Sequence, residues 1–141
     1  MSGEEKTARS VLFDQQITWV YTYDLAETAR FYAETLGLEM VLDQGNCRVF
    51  QVTSASFIGL CQRPDRDVEP KGVIISLLTP DVDGWYERLI AAGVDVVAPP
   101  KFSETSKAYA FFCRDPEGYR IEFQAFRDPR WRRLEGHGEG R

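Results

Sequence analysis

The sequence predicts an α+β chain made of two copies of one βαβββ unit. Three observations carry this. The stretch 17–41, ITWVYTYDLAETARFYAETLGLEMV, runs from an apolar strand through an acidic cap and an amphipathic helix to a glycine and a β-rich run. A looser copy, VIISLLTPDVDGWYERLIAAGVDVV, occupies 73–97. Short β-rich runs separated by turn residues follow each helix. The 141 residues suit one domain, or two small modules sharing a core. The domain is predicted at 13–126, with module one at 13–62, a linker at 63–72 and module two at 73–126. Tails at 1–12 and 127–141 are expected to be flexible. Repeats that face each other enclose a cleft, and function is expected there.

The first strand is predicted at 16–23, with Ile17, Trp19, Tyr21 and Tyr23 on one face and Thr18, Val20 and Thr22 on the other. Asp24 then caps a helix, and Glu27 completes a capping box in which aspartate replaces serine or threonine. Leu25, Ala29, Tyr32 and Leu36 recur at helical spacing as the buried stripe, and Gly37 ends the helix. Strands follow at 38–42, 49–52 and 56–61, divided by the turn signals DQGN and TSAS. The segment QRPDRDVEPKG, 62–72, is polar and marked by prolines, as a linker is.

The second unit opens with a strand at 73–78. Pro80 stops it, Asp81 caps a helix at 82–92, and Gly93 closes that helix. A short strand at 94–97 leads to a loop from 99 to 107, read as a surface loop or as a lid over the cleft. A strand at 109–113, the turn DPEG at 115–118 and a last strand at 119–126 complete the unit. In the glycine- and arginine-rich tail, Trp131 is the residue expected to dock.

Seventeen basic and 22 acidic residues give a net charge of −5. That balance argues against nucleic-acid binding, which needs a basic face. No run of 18 apolar residues offers a membrane span, and the N-terminal residues MSGEEKTARS lack a signal-type apolar segment, so a cytoplasmic protein is expected. Cys47, Cys61 and Cys113 are odd in number and show no C-x-x-C spacing, so three reduced, partly buried thiols are expected. The one histidine, His137, lies in the tail, far in sequence from each cysteine.

The stretch DLAETARFYAETLGL, the ending RDPEGYRIEF and the βαβββ duplication together resemble the vicinal oxygen chelate superfamily of glyoxalases, bleomycin-resistance proteins and extradiol dioxygenases. The resemblance covers about 13–126. It implies two curled sheets lining a cup, and a homodimer. It also implies four metal-ligand positions, which fall here on Ile17, Gly59, Ile74 and Glu122. Only Glu122 can donate a lone pair, and a catalytic divalent metal needs about three protein ligands. A one-residue slip would bring in Gln16, still leaving two ligands and turning Trp19 and Tyr21 to the opposite face. No metal and no other cofactor is therefore expected.

The inner wall then carries Ile17, Trp19 and Tyr21 from the first strand, with Ile74, Ser76 and Leu78 from the first strand of the second unit. Gly59 and Cys61 lie opposite, and Arg120, Glu122 and Gln124 come from the last strand. Trp19, Tyr21, Ser76, Arg120, Glu122 and Gln124 are the expected ligand-binding residues for a planar or cationic small molecule. The aromatics and the carboxylate have structural alternatives: Trp19 and Tyr21 as core, Glu122 as an ion-pair partner of Arg120, Arg48 or Arg114. The expected function is small-molecule binding of the bleomycin-resistance type, without a metal. The alternative is a lyase, isomerase or dioxygenase-like enzyme of the same superfamily, with Glu122 as the catalytic base. The partners expected are a small ligand and a second copy of the chain.

Overall fold

The alternating pattern of QITWVYT forms β1 (Gln16–Thr22) in a computed structural model that describes residues 12–63 and 72–131. The chain divides into two units, Met1–Asp65 and Arg66–Arg141.

In the first unit, Asp24 caps α1 (Leu25–Arg30) by accepting a hydrogen bond from the Glu27 N–H at 3.2 Å. The capping box is half formed, because the Asp24 N–H donates to Thr22 Oγ1 instead of to Glu27. Gln62 Oε1 accepts from the Leu25 N–H at 3.0 Å and satisfies another free amide of the first turn. The helix does not stay α-helical to its end: Phe31–Thr35 form a π turn, with the Leu36 N–H donating to the Phe31 carbonyl. This differs from the single α-helix predicted up to Gly37. Consecutive Phe31 and Tyr32 are both buried there, their rings edge to face at 5.3 Å.

Strands β2 (Glu39–Asp43), β3 (Cys47–Thr53) and β4 (Ser56–Gln62) follow, and the sheet order is β1-β4-β3-β2. β1 runs parallel to β4, and the other pairs are antiparallel. A bulge at Val41 breaks the register of β2 with β3. The predicted stripe Leu25, Ala29, Tyr32 and Leu36 is buried, as are Val20, Phe50, Ile58 and Leu60 of the sheet. Odd-numbered residues of β1 and β4 point to the helix-free face.

The second unit repeats the plan. β5 (Ile74–Leu78) leads to α2 (Val82–Ala91), whose cap Asp81 accepts from the Gly84 N–H at 3.0 Å. β8 (Ala108–Arg114) and β9 (Arg120–Phe126) are joined by the DPEG turn, in which the buried Asp115 carboxylate accepts from the Glu117 and Tyr119 N–H groups at 2.9 and 2.8 Å. Between α2 and β8 lie two short strands, β6 (Asp95–Val96) and β7 (Lys101–Ser103). The sheet order is β5-β9-β8-β6, with β7 also pairing β8 and β5 parallel to β9. β7 corrects the loop predicted over 99–107: Lys101, Phe102 and Ser103 pair with Ala110, Tyr109 and Ala108. The tight return between β7 and β8 ends at Lys107, whose φ is 56°. The proline pair hid a two-strand return behind a loop signal.

The core of this unit is an aromatic stack. Trp85 lies on Phe123 at 5.2 Å and Phe123 on Phe111 at 5.1 Å, while Tyr86 meets Phe111 edge-on at 5.5 Å. Phe111 and Phe123 are almost fully buried, as is Leu89 of the helix. Trp131 docks on Phe126 with ring centroids 4.5 Å apart. The remainder of both predicted tails, and most of the predicted linker, lie outside the described residues.

Candidate functional site

The pairing registers set the site positions. In the first unit Ile17 faces Phe57 and Trp19 faces Gly59; in the second, Ile74 faces Arg120 and Ser76 faces Glu122. Matching Ile17 to Ile74 therefore also matches Gly59 to Glu122, so both parallel pairs carry the same register. Gln16 pairs with Ser56, one residue out of phase with the Trp19 face.

On the helix-free face of the first unit the Trp19 indole lies over Gly59. A Cβ at that glycine would fall 2.3 Å from the ring, so only glycine admits the indole there. Trp19 is 47% exposed and Tyr21 44%, which removes the core alternative for both within the chain. The Arg63 guanidinium stands 4.8 Å from the centre of the Tyr21 ring. That contact was missed in the sequence because Arg63 falls at the start of the predicted linker.

Beside Tyr21 the expectation of three free thiols fails. Cys47 and Cys61 are joined by a disulfide across β3 and β4, with Cα atoms 4.1 Å apart. They are direct cross-strand partners on one face, which brings Cβ atoms into bonding range. Sequence spacing alone does not reveal this, because the partnership depends on strand register. Cys113 is the free thiol, fully buried on the helix side of β8, and burial pushes its pKa up to about 12, with Asp115 and Asp95 adding to the shift.

The helix-free face of the second unit brings Ser76, Glu122 and Gln124 into a closed triangle. Gln124 Nε2 donates to Ser76 Oγ at 2.5 Å and to Glu122 Oε1 at 3.0 Å, and Ser76 Oγ donates to Glu122 Oε1 at 3.2 Å. The donors of the triangle are thereby consumed, whereas Glu122 Oε2 and Gln124 Oε1 have no partner among the described residues. The arrangement presents acceptors. None of the three arginines considered as partners pairs with Glu122. Arg120 stacks on Phe112 at 4.8 Å, Arg114 reaches Asp95 at 3.5 Å, and Arg48 lies 3.8 Å from Asp43. Phe112, the register partner of Glu122, was not singled out in the sequence, although the alternation of AYAFFCR carries it to this face.

The positions at which the resemblance puts metal ligands do not fit a metal. Ile17, Gly59 and Ile74 supply no donor atom, and the space above Gly59 is filled by an indole. Among the described residues no three His, Cys, Asp or Glu side chains gather as a metal site does. No helix among them is long and apolar enough to cross a membrane. A shallow groove of about 230 Å³ on the helix side of the first unit is lined by Ala29, Arg30, Met40, Arg48 and Phe50 and touches none of the predicted site residues.

Comparison with solved structures places this architecture. An integron cassette protein from the mobile metagenome of the Halifax Harbour sewage outfall superposes with a TM-score of 0.70 at 23% identity, covering 79% of this chain and 97% of that one. A lactoylglutathione lyase from Agrobacterium tumefaciens gives 0.64 at 25% identity, covering 78% and 91%. A glyoxalase/bleomycin resistance protein/dioxygenase from Nocardioides gives 0.65 at 23% identity, covering 99% and 95%. No curated protein matches by sequence. The family model of the glyoxalase/bleomycin resistance protein/dioxygenase superfamily matches residues 15–123, and the chain belongs to that superfamily.

Proposed function

We propose that this chain binds a planar, cationic small molecule and does so without a resident metal. The observation that carries the reading is the Ser76–Glu122–Gln124 triangle, whose unpartnered atoms are all acceptors and whose carboxylate meets no cation among the described residues. A ligand ammonium or amidinium supplies the donors that the triangle lacks. The first unit, taken by itself, also carries a surface suited to a planar cation: Trp19 exposes its indole face, and Arg63 over Tyr21 already exemplifies a cation held on an aromatic ring of this chain. Arg120, set on Phe112, is assigned to an acceptor group elsewhere on the ligand. Capture of this kind requires affinity and no turnover.

Titration with proflavine, a planar cation, read by tryptophan fluorescence, tests this. Binding is expected for the cation and not for an uncharged analogue of the same shape. Glu122→Gln keeps an acceptor in the triangle but removes its charge, and is expected to weaken binding about tenfold, or roughly 1.4 kcal/mol. Equal affinity for the charged and uncharged compounds would refute the reading.

A lyase or isomerase is the second reading, supported by the 25% identity to a lactoylglutathione lyase. In it Glu122 is the base, and Glu122→Gln abolishes turnover while leaving binding in place. We also infer a cytoplasmic homodimer. The edge strand β2 exposes Met40, Val41 and Leu42 on an unpaired sheet edge, the surface a second copy would cover. Leu42→Glu is expected to lower the mass measured by light scattering to that of one chain.

A further inference from the structure

We propose that Cys47 and Cys61 form a reversible redox site whose reactants are small thiols and small disulfides. Both cysteines are only partly buried, so a reagent of glutathione size reaches them, whereas Cys113 is sealed in the core. The pair sits at the β3–β4 hairpin end, where main-chain bonds already fix the register. At this open end of the hairpin, away from its turn, Gln62 N–H donates to the Asn46 carbonyl and Gln44 N–H to the Cys47 carbonyl, each at 2.8 Å, and the adjoining β2–β3 turn is closed by the Gly45 N–H on Asp43 at 2.9 Å. The disulfide spans only 14 residues of sequence, within strands that pair in unbroken register from Cys47 to Gln51. Cleaving it leaves the sheet its ladder.

The exchange balances with two small thiols. One thiolate attacks Sγ of either cysteine, the S–S bond breaks, and the released protein thiolate takes up a proton. The second thiolate attacks the mixed disulfide and departs as the small disulfide, so two thiols are oxidised as the protein pair is reduced to two thiols. Oxidised glutathione reverses the sequence. Cys61 is the register partner of Tyr21, and it follows Gly59, the seat of the Trp19 indole, by two residues on the same face. The change of state therefore falls on the surface assigned above to ligand stacking; coupling to affinity, and only that, rests on the binding reading.

The test uses the full chain. Native protein is incubated with reduced glutathione, alkylated with iodoacetamide and mapped by mass spectrometry, with circular dichroism recorded alongside. Alkyl groups are expected on Cys47 and Cys61 and not on Cys113, with the fold retained and the modification sites lost again after oxidised glutathione. Trp19 emission is expected to rise on reduction, because a nearby disulfide quenches an excited indole, and Trp19→Phe removes the rise while Trp85→Phe does not. A pair that resists reduction until denaturant is added is an inert staple, and the proposal fails. It fails equally if Cys113 is alkylated in step with the pair, since reduction then unfolds the chain. Proflavine is titrated into both redox states. A shift in affinity is expected. Binding in neither state sinks the binding reading and leaves the alkylation map standing, while equal binding in both removes the coupling.

Discussion

The two units share a strand register and differ in what they place on it. Trp19 opposite Gly59 in the first corresponds to Ser76 opposite Glu122 in the second. On the helix side both solve one problem alike, burying aromatic rings between a helix and a mixed sheet: Tyr32 with Phe50 in one, Trp85 with Phe123 in the other. On the helix-free side the first unit builds an aromatic surface, and the second a polar triangle in which every donor is used. The core fixes the backbone positions, and the opposite face is then free to diverge, because its side chains do not hold the sheet to the helix.

The sharpest test of the shared half of this comparison is truncation in the cores. Phe123→Ala removes the middle ring of a three-ring stack and is expected to cost about 3–5 kcal/mol in chemical denaturation, with Phe50→Ala in the first unit falling in the same range. A cost below about 1 kcal/mol at either position would mean that the rings are not the core they form in the structure. The divergent half is tested at Gly59. Gly59→Ala pushes a methyl group into the indole of Trp19 and is expected to cost about 1–3 kcal/mol and to change the near-ultraviolet dichroism of Trp19. Because the clash involves one side chain, Trp19→Ala in the same molecule is expected to recover part of that loss, a non-additivity that a double-mutant cycle measures.

Much of this plan was legible in the sequence. Both aspartate caps, both closing glycines and the buried stripe of the first helix follow from local rules, and the structure has them. The match of Gly59 with Glu122 also followed from chain order, since strand register repeats when a unit is duplicated. What was not legible depends on contacts between strands or on backbone detail. The Cys47–Cys61 bond needs the β3–β4 register, which turn signals fix only to within a residue or two. The π turn at Phe31 arises from packing two adjacent rings, which a periodicity of 3.6 averages away. β7 was hidden because Pro99 and Pro100 read as breakers, although the strand begins after them. An arginine partner for Glu122 was the structural alternative read from charge alone, whereas Ser76 on β5 and Gln124 on β9 donate to one of its oxygens as neutral groups.

The cysteines extend the comparison to pH. The first unit carries its pair on the helix-free face, and the second buries its single thiol against the helix. Cys113 ionises at about 12 in the fold, chiefly because burial disfavours the thiolate, against an ordinary value of 9.0. The folded state therefore holds this proton more tightly than the unfolded chain does. Its contribution to stability is complete below pH 9 and is lost as pH rises from 9 toward 12. Across the first unit of that window the loss is about 1 kcal/mol. Denaturation midpoints measured at pH 8, 9 and 10 are expected to fall more steeply for the native sequence than for Cys113→Ala, which has no thiol to ionise. Reduction of the Cys47–Cys61 pair leaves this difference unchanged, because the buried thiol belongs to the other unit. Identical slopes for the two proteins would place the Cys113 thiol within reach of solvent and erase the contrast between a surface pair and a core thiol.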